Sequence, residues 1–204
     1  MLPSRAERLS KLQEICLTCN RCSLYASRHQ LVFGDGSPDA WLMFIGEAPG
    51  QEEDKTGKPF WGRSGQLLRR MIAAINLTPN DYYIANILKD RPPGNRVPEP
   101  EEIEACLPFL KKQIEIINPE YLILLGRTAV KSLLPEQALV PIDALRDKTK
   151  DSSSSLVLGN TQVIVTYHPS ALLRDPSKKI KVAADFHYLE ALANERRSTV
   201  SLYD

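Results

Sequence analysis

Three of the four cysteines of this chain lie close together in "ICLTCNRCSLY". Cys16, Cys19 and Cys22 follow one another at intervals of three residues, and Cys106 lies far downstream. Four thiolates suffice for a 4Fe-4S cluster, and the regular spacing is similar to a ferredoxin-type ligand run. A tetrahedral zinc site on the same four thiols is the alternative.

The composition predicts a soluble globular protein. The 204 residues are 43% hydrophobic and 25% charged, no run of 18 apolar residues occurs, and the charged start "MLPSRAERLSKLQEI" does not resemble a secretory signal. We therefore expect one cytoplasmic domain over residues 1–204 that has no membrane contact. Thiols stay reduced in that compartment, so clustered cysteines there indicate metal binding or catalysis more often than disulfides. The formal net charge of +1 neither favours nor excludes DNA binding.

Four short apolar runs alternate with helical patterns. The strands are expected at 40–46, 81–88, 120–126 and from 161, and the helices at 4–18, at 65–76, after "PEPEE", through "RTAVKSLL" and through "KKIKVAADFHYLEALANERR". This order predicts the α/β class, with a central four-stranded parallel sheet in a three-layer α/β/α arrangement. Residues 1–25 form the N-terminal helix and metal-ligand segment, and the polar segment 148–160 is expected to be a mobile loop.

Ligands gather at the carboxyl ends of the strands in such sheets, and the segments that follow those ends carry a family resemblance. The quoted segments are "VFGDGSPDAWLMFIGEAPGQEEDKTGKPFWGRSGQLL", "YIANILKDRPPGNRVPEPEE", "LGRTA" and "HPSALLRDPS". In order and spacing, from about residue 19 to about residue 190, the chain resembles the family 4 uracil-DNA glycosylases, the iron-sulfur type. The resemblance implies a monofunctional enzyme that hydrolyses the N-glycosidic bond of deoxyuridine in DNA. It would release uracil and leave an abasic site, as the first step of base excision repair.

The resemblance also implies roles for three side chains of a uracil pocket. Phe60 in "KPFWG" matches the aromatic residue that stacks on the flipped uracil. Asn86 in "YIANI" matches the amide that reads the Watson-Crick edge, because an amide offers both a donor and an acceptor. His168 in "YHPS" corresponds to the donor that hydrogen-bonds uracil O2 as negative charge develops on the leaving base.

The "GEAPG" turn after the first strand supplies the remaining pocket residues. The Gly-x4-Gly-Lys-Ser/Thr pattern of a phosphate-binding loop is absent from this segment. The resemblance places Gly46 and Ala48 at the substrate. Glu47 matches a carboxylate that orients or deprotonates the attacking water, or stabilises an oxocarbenium-like sugar.

A base inside a duplex must be flipped out before its glycosidic bond can be reached, whereas single-stranded DNA offers it directly. By position in the resemblance, Leu172 is the apolar wedge that fills the vacated stack. Arg174, Lys178 and Arg63 are the expected phosphate contacts. Single- and double-stranded uracil-containing DNA both remain candidate partners, and family membership implies a monomer.

The cysteines depart from the family pattern at one position. The resemblance implies Cys19, Cys22 and Cys106 as ligands of a structural 4Fe-4S cluster, with the remaining ligand in a "K-C-R-P-P" stretch. This chain has "KDRPP", which places Asp90 there. Either Asp90 ligates iron through oxygen, or Cys16 replaces the missing thiolate, or the cluster is incomplete or absent. We favour Cys16, because thiolate suits iron-sulfur clusters better than carboxylate does.

Two other functions remain open at this point. The first is a uracil-DNA-binding relative without efficient turnover. Some relatives trap DNA covalently through a histidine after the "N-I" strand, and no histidine occurs between Asn86 and Cys106. The second is a redox sensor whose DNA affinity changes with the state of the cluster.

Overall fold

A six-stranded sheet forms the middle of the molecule. The computed structural model describes residues 2–151 and 156–200. The strands are β1 (Asp35–Gly36), β2 (Leu42–Gly46), β3 (Tyr82–Asn86), β4 (Tyr121–Leu125), β5 (Leu156–Leu158) and β6 (Thr161–Thr166). Their spatial order is β1-β3-β2-β4-β6-β5. Strands β3, β2, β4 and β6 pair in parallel, and β1 and β5 are short antiparallel edge strands. The four predicted parallel strands are thus confirmed, and the two edge strands extend them.

Helices cover both faces of the sheet, as the predicted α/β/α arrangement requires. One core contains residues of α1 (Arg5–Leu17), α4 (Pro100–Ile117), α5 (Arg127–Leu133) and α6 (Ile142–Lys148). The opposite core contains residues of α3 (Arg63–Ala74), α7 (Pro169–Arg174) and α8 (Lys178–Val200). A short helix, α2 (Gln51–Thr56), follows β2.

Strand β2 shows why these runs are apolar throughout. Met43 and Ile45 belong to the core under α1, α4 and α5, whereas Leu42 and Phe44 belong to the core under α3 and α8. Successive side chains of a strand point to opposite faces, so a strand covered on both faces needs apolar residues at every position. The functional residues therefore begin only where the apolar run ends.

The predicted loop 148–160 needs correction. Residues 156–158 form β5, which pairs with β6 in antiparallel register, and residues 152–155 lie outside the described part of the chain. The sequence pattern also missed α2, α6 and α7, each only six or seven residues long. Across residues 2–151 and 156–200, no helix has the length and apolar character needed to cross a membrane.

Candidate active site

A cavity of about 310 Å³ opens at the carboxyl ends of the parallel strands. Five of the residues predicted to act on substrate line it: Glu47, Ala48, Phe60, Asn86 and His168. The other lining residues are Pro49, Gly50, Glu53, Ser64, Pro92, Asn95, Arg96, Ser170 and Arg174. Residues from five separate segments of the chain thus meet at the edge of the sheet where an α/β fold binds its ligands.

Asn86 lines this cavity, and Gly46, which does not line it, lies next to Asn86. They are the last residues of neighbouring strands β3 and β2 and lie side by side in parallel register. Asn86 is only 2% exposed, and its Oδ1 is buried without a hydrogen-bond partner among the described residues. A Cβ atom at position 46 would lie 2.4 Å from this Oδ1 and 2.5 Å from Cζ of Phe60. Only glycine leaves both groups in place, and the unpaired acceptor calls for a donor from a ligand.

Phe60 is held in a conformation that is costly for an aromatic residue. Its φ of 52° lies in the left-handed region, where strain is typical of functional sites. A Cβ atom at Gly65 would lie 2.0 Å from the carbonyl group of Phe60, so the close approach of α3 depends on that glycine. Arg69 Nε donates to the same carbonyl at 3.3 Å. The Phe60 ring is nearly buried, and its centroid lies 5.6 Å from that of His168.

Glu53 organises two loops of the site, and the sequence reasoning missed it. Its buried carboxylate accepts backbone N–H groups from Gly50 at 3.1 Å, from Trp61 at 2.8 Å and from Gly62 at 2.8 Å. The carboxylate therefore joins the "PG" turn after β2 to the loop that carries Phe60. An acid at the third position of a helix after glycine is a capping signal. That signal predicts the bond to Gly50 but not the bonds to the distant loop.

The hydrogen bonds of His168 fix its tautomer. Nδ1 accepts the backbone N–H of Ser170 at 3.2 Å, and the Ser170 hydroxyl oxygen lies 2.8 Å from the same nitrogen. Because Nδ1 is an acceptor, the proton of the neutral ring is on Nε2. Burial, helped by the positive charge of Arg174, lowers the pKa of His168 from 6.5 to about 4. The ring is thus a neutral donor at pH 7.

Glu47 is held by a residue to which the sequence analysis gave no role. Thr128 Oγ1, at the start of α5 directly after β4, donates a short hydrogen bond to Glu47 Oε2. The backbone carbonyl of Glu47 accepts the N–H of Leu88 at 3.1 Å. The segment "LGRTA" was part of the resemblance. Its threonine meets Glu47 because β4 lies next to β2 in the sheet, and the sequence pattern does not give that strand order.

The residues predicted to contact DNA differ in exposure and in their distance from the cavity. Leu172 is 2% exposed and packs in the core under α3 and α8, whereas Leu173 is 44% exposed. The burial of Leu172 does not suit an inserting wedge, and Leu173 is the exposed member of the pair because consecutive residues of a helix face different directions. Arg174 is exposed and lines both the cavity and an adjoining one of about 490 Å³, which Lys178 also lines.

The other two basic candidates differ in their surroundings. Arg63 lies exposed in the first turn of α3. It lines neither cavity itself, but the next residue, Ser64, lines the first. Lys178 pairs with Asp175.

The four cysteines lie near one another at one side of the sheet. Cys16 lies in the last turn of α1 and is buried, Cys106 is buried in α4, and Cys19 and Cys22 are half-buried; all four are free thiols. Cys16 is within electrostatic reach of Cys19 and Cys106, and Cys22 of Cys19 and Cys106. Burial raises the pKa of Cys16 to about 12 and that of Cys106 to about 11. Deprotonation of these thiols would therefore need a nearby positive group such as a metal.

Asp90, the residue at the departing position, is engaged with an arginine. Its Oδ1 lies 3.1 Å from Nε of Arg28, and both side chains are largely buried. The same guanidinium donates to the carbonyls of Leu17 at 3.0 Å and Cys19 at 2.6 Å. Burial raises the pKa of Asp90, and the charge of Arg28 opposes that shift. The pair ties the loop after β3 to the cysteine segment without a metal.

Lys89 is a buried cation beside the cysteines. It is 1% exposed, and no carboxylate forms an ion pair with it within the described ranges. Its N–H donates to Sγ of Cys106 at 3.2 Å, and its Nζ donates to the carbonyl of Asn86 at 2.9 Å and to Oε1 of Gln113 at 2.6 Å. Burial lowers its pKa to about 8. A cation in this setting suits a neighbour that carries negative charge, such as a set of metal-bound thiolates.

The cysteine cluster does not have the geometry of a site for a single metal ion. In the described residues, no group of three or more His, Cys, Asp or Glu side chains could hold a metal ion. A four-iron cluster places its ligands around several atoms rather than around one. The four neighbouring thiols have the donor chemistry of such a cluster, and the buried Lys89 would balance its negative charge.

Comparisons with known proteins agree with this site. The sequence model of the uracil DNA glycosylase superfamily matches residues 33–193. A type-4 uracil-DNA glycosylase from Thermotoga maritima is 42% identical over 87% of this chain and 90% of its own length. Those from Sulfurisphaera tokodaii and Archaeoglobus fulgidus are 38% and 36% identical, each over 97% of this chain and over 90% and 99% of their own lengths.

A solved structure supports the fold. The crystal structure of wild-type SMUG2 from Pedobacter heparinus superposes with a TM-score of 0.51 and 14% identity, over 76% of this chain and 77% of that one. That identity supports the fold alone. Together with the sequence matches it leads to one assignment: the chain belongs to the uracil DNA glycosylase superfamily and, within it, to the type-4 uracil-DNA glycosylases.

Proposed function

We propose that the protein is a monofunctional DNA glycosylase that hydrolyses the N-glycosidic bond of deoxyuridine in DNA and releases uracil. The type-4 relatives carry that activity in their names. The observation that carries the proposal in this chain is the buried, unpaired Oδ1 of Asn86, a residue that lines the cavity together with Phe60 and His168.

The pocket has the chemistry to select uracil. Asn86 Oδ1 would accept the N3–H of uracil, and the same amide would donate to O4, while the Phe60 ring stacks on the base. Cytosine has no hydrogen on N3, so it would leave the buried oxygen unpaired. A site built around a hydrogen bond rejects the analogue that lacks it. The bare backbone of Gly46 leaves room for the base edge.

His168 and Glu47 would act on opposite parts of the reaction. When the glycosidic bond breaks, its electrons go to uracil, and a donor aimed at O2 stabilises the anion. The neutral Nε2–H of His168 is that donor, since Nδ1 is occupied by Ser170. Glu47, oriented by Thr128, would position the attacking water or stabilise the positive sugar.

The surface around the cavity would bind the DNA strand. Leu173 replaces Leu172 as the candidate wedge, because it is the exposed member of the pair. Arg174, Arg63 and Lys178 would meet phosphates, which makes binding fall with added salt. The expected substrate is uracil-containing DNA, and the expected state is a monomer.

Cys16, Cys19, Cys22 and Cys106 would hold the 4Fe-4S cluster. Asp90 is left out of this set because its carboxylate already neutralises Arg28 in a largely buried pair. The cluster, when bound, would supply a structural crosslink between the N-terminal segment and α4. The side chains of this chain that act on the base lie in the cavity and include none of the four cysteines.

The test is release of free uracil from an oligonucleotide that contains one deoxyuridine. We expect multiple turnovers for the wild type, and Asn86→Ala and His168→Ala should each lower the rate by about 100- to 1000-fold, the effect of losing one donor to developing charge. His187→Ala, in an exposed histidine outside the cavity, is the matched control. Tight stoichiometric retention of the DNA without uracil release would favour the non-catalytic binder instead.

A further inference from the structure

Trp61 is a large exposed aromatic residue directly beside the uracil cavity. Its side chain is 43% exposed, and it belongs to neither core. Lys58 Nζ lies 4.6 Å from the centroid of its ring, and Cζ of Arg69 lies 5.7 Å from it. The ring lines a groove of about 440 Å³ with Phe60, Gln66, Arg69 and Arg70. Phe60 lines both this groove and the uracil cavity, so the two adjoin.

The backbone presents Trp61 rigidly. Its N–H and that of Gly62 both donate at 2.8 Å to Oε1 of buried Glu53. These bonds fix the backbone at Trp61, so binding through its ring does not have to order the loop first. The exposure of the indole is therefore not a consequence of a loose loop.

The charges around Trp61 call for an anionic partner. Lys58, Arg63 and Arg70 are exposed, and no carboxylate of the described residues forms an ion pair with any of them. Arg69, the other cation beside the ring, pairs with Asp35 at 2.8 Å, so Lys58 and Arg70 are the free cations next to the indole. An exposed aromatic ring with free cations beside it combines the two elements that proteins use to bind single-stranded nucleic acid, which are a surface for base stacking and a charged track for the backbone. The position of the groove next to the base-binding cavity favours DNA over an acidic protein.

We infer that Trp61 stacks on a nucleobase of the substrate strand next to the flipped uracil. The neighbouring base in a duplex is already stacked and paired, so an added platform gains most when that base is unpaired. Trp61 should therefore raise the affinity for single-stranded DNA more than for duplex DNA. The inference rests on the proposed function in one respect: uracil in the cavity places the next nucleotide of the strand at the groove.

Binding to an all-thymine oligonucleotide tests this inference. This oligonucleotide contains no uracil, so its affinity is measured independently of uracil release. Trp41, the only other tryptophan, is buried and its indole donates to Asp81. Fluorescence quenching on titration should therefore come from Trp61 and should disappear in Trp61→Phe. Trp61→Ala should weaken single-strand binding by about 5- to 150-fold, the range expected for losing one base stack. Trp61→Phe should keep most of the affinity, and Tyr25→Ala, at an exposed aromatic residue outside both cavities, should have no effect.

Three results would overturn the inference. They are equal single-strand affinity of Trp61→Ala and wild type, equal losses on single-stranded and duplex DNA, and equal quenching by an abasic oligonucleotide of the same length. The last result would mean that the groove binds phosphates alone. Failure of the proposed function would look different: uracil release would be missing from deoxyuridine oligonucleotides while quenching by oligothymidine persisted.

Discussion

The protonation state of His168 can be tested by changing the pH. Burial of the ring, with Arg174 as the second cause, lowers its pKa from 6.5 to about 4. At pH 5 a histidine with a pKa of 6.5 is about 97% charged, whereas one with a pKa near 4 is about 10% charged. We therefore expect that protonation of His168 does not change the rate of uracil release as the pH falls through 6.5.

The same shift has a consequence for stability. A lowering of about 2.5 units corresponds to about 3.4 kcal/mol. Below pH 6.5 the histidine of the unfolded chain takes up a proton, while the folded ring stays neutral until about pH 4. Folding thus becomes less favourable across this window, and up to about 3 kcal/mol of stability is lost as the pH falls from about 6.5 to about 4.

The assay is an NMR titration of histidine labelled with 13C and 15N. The chain has only three histidines, and His168→Asn assigns the resonance of interest. Arg174→Gln should move the His168 midpoint upward, because it removes a positive charge that opposes protonation. A wild-type midpoint near 6.5, or a neutral ring that carries its proton on Nδ1, would show that His168 is not a neutral Nε2–H donor at pH 5.

Three further predictions concern the cysteine site and Glu47. Anaerobically purified wild type and Asp90→Ala should each hold about four iron and four sulfide per chain, and Cys16→Ala should lose them, because a 4Fe-4S cluster takes four thiolate ligands. Asp90→Ala should also lower the free energy of unfolding in urea by about 3 kcal/mol, since it leaves the largely buried Arg28 without its partner. Thr128→Val should lower the rate of uracil release by about 10-fold, a loss of about 1.4 kcal/mol for one hydrogen bond to the Glu47 carboxylate.

Each of these three predictions has a control variant or an outcome that would contradict it. If Asp90→Ala lost its iron while Cys16→Ala kept it, Asp90 would be the ligand, and no iron in any form would mean that the cluster is absent. The double variant Arg28→Ala with Asp90→Ala should recover part of the lost stability. Thr128→Ser keeps the hydroxyl and should restore most of the rate, and an unchanged rate in Thr128→Val would show that Glu47 needs no such support.

Much of the site could be predicted because its residues follow recognisable local patterns. Gly46 and Asn86 each end an apolar strand, and the carboxyl ends of parallel strands meet at one edge. The resemblance then singled out Phe60 and His168, which line the same cavity as Asn86. Their roles in uracil release remain predictions.

The strand and helix pattern and the residue types that end the strands could be predicted, because these depend on the hydrophobic period and on neighbours along the chain. Three features could not: the burial of Leu172 beside exposed Leu173, the bonds from Glu53 to the Phe60 loop, and the pairing of Asp90 with Arg28. Each of these depends on the direction from which distant segments pack together. A periodic pattern identifies the apolar face of a helix, but the partner of a buried carboxylate is set by the three-dimensional arrangement that brings the two groups within a few ångströms.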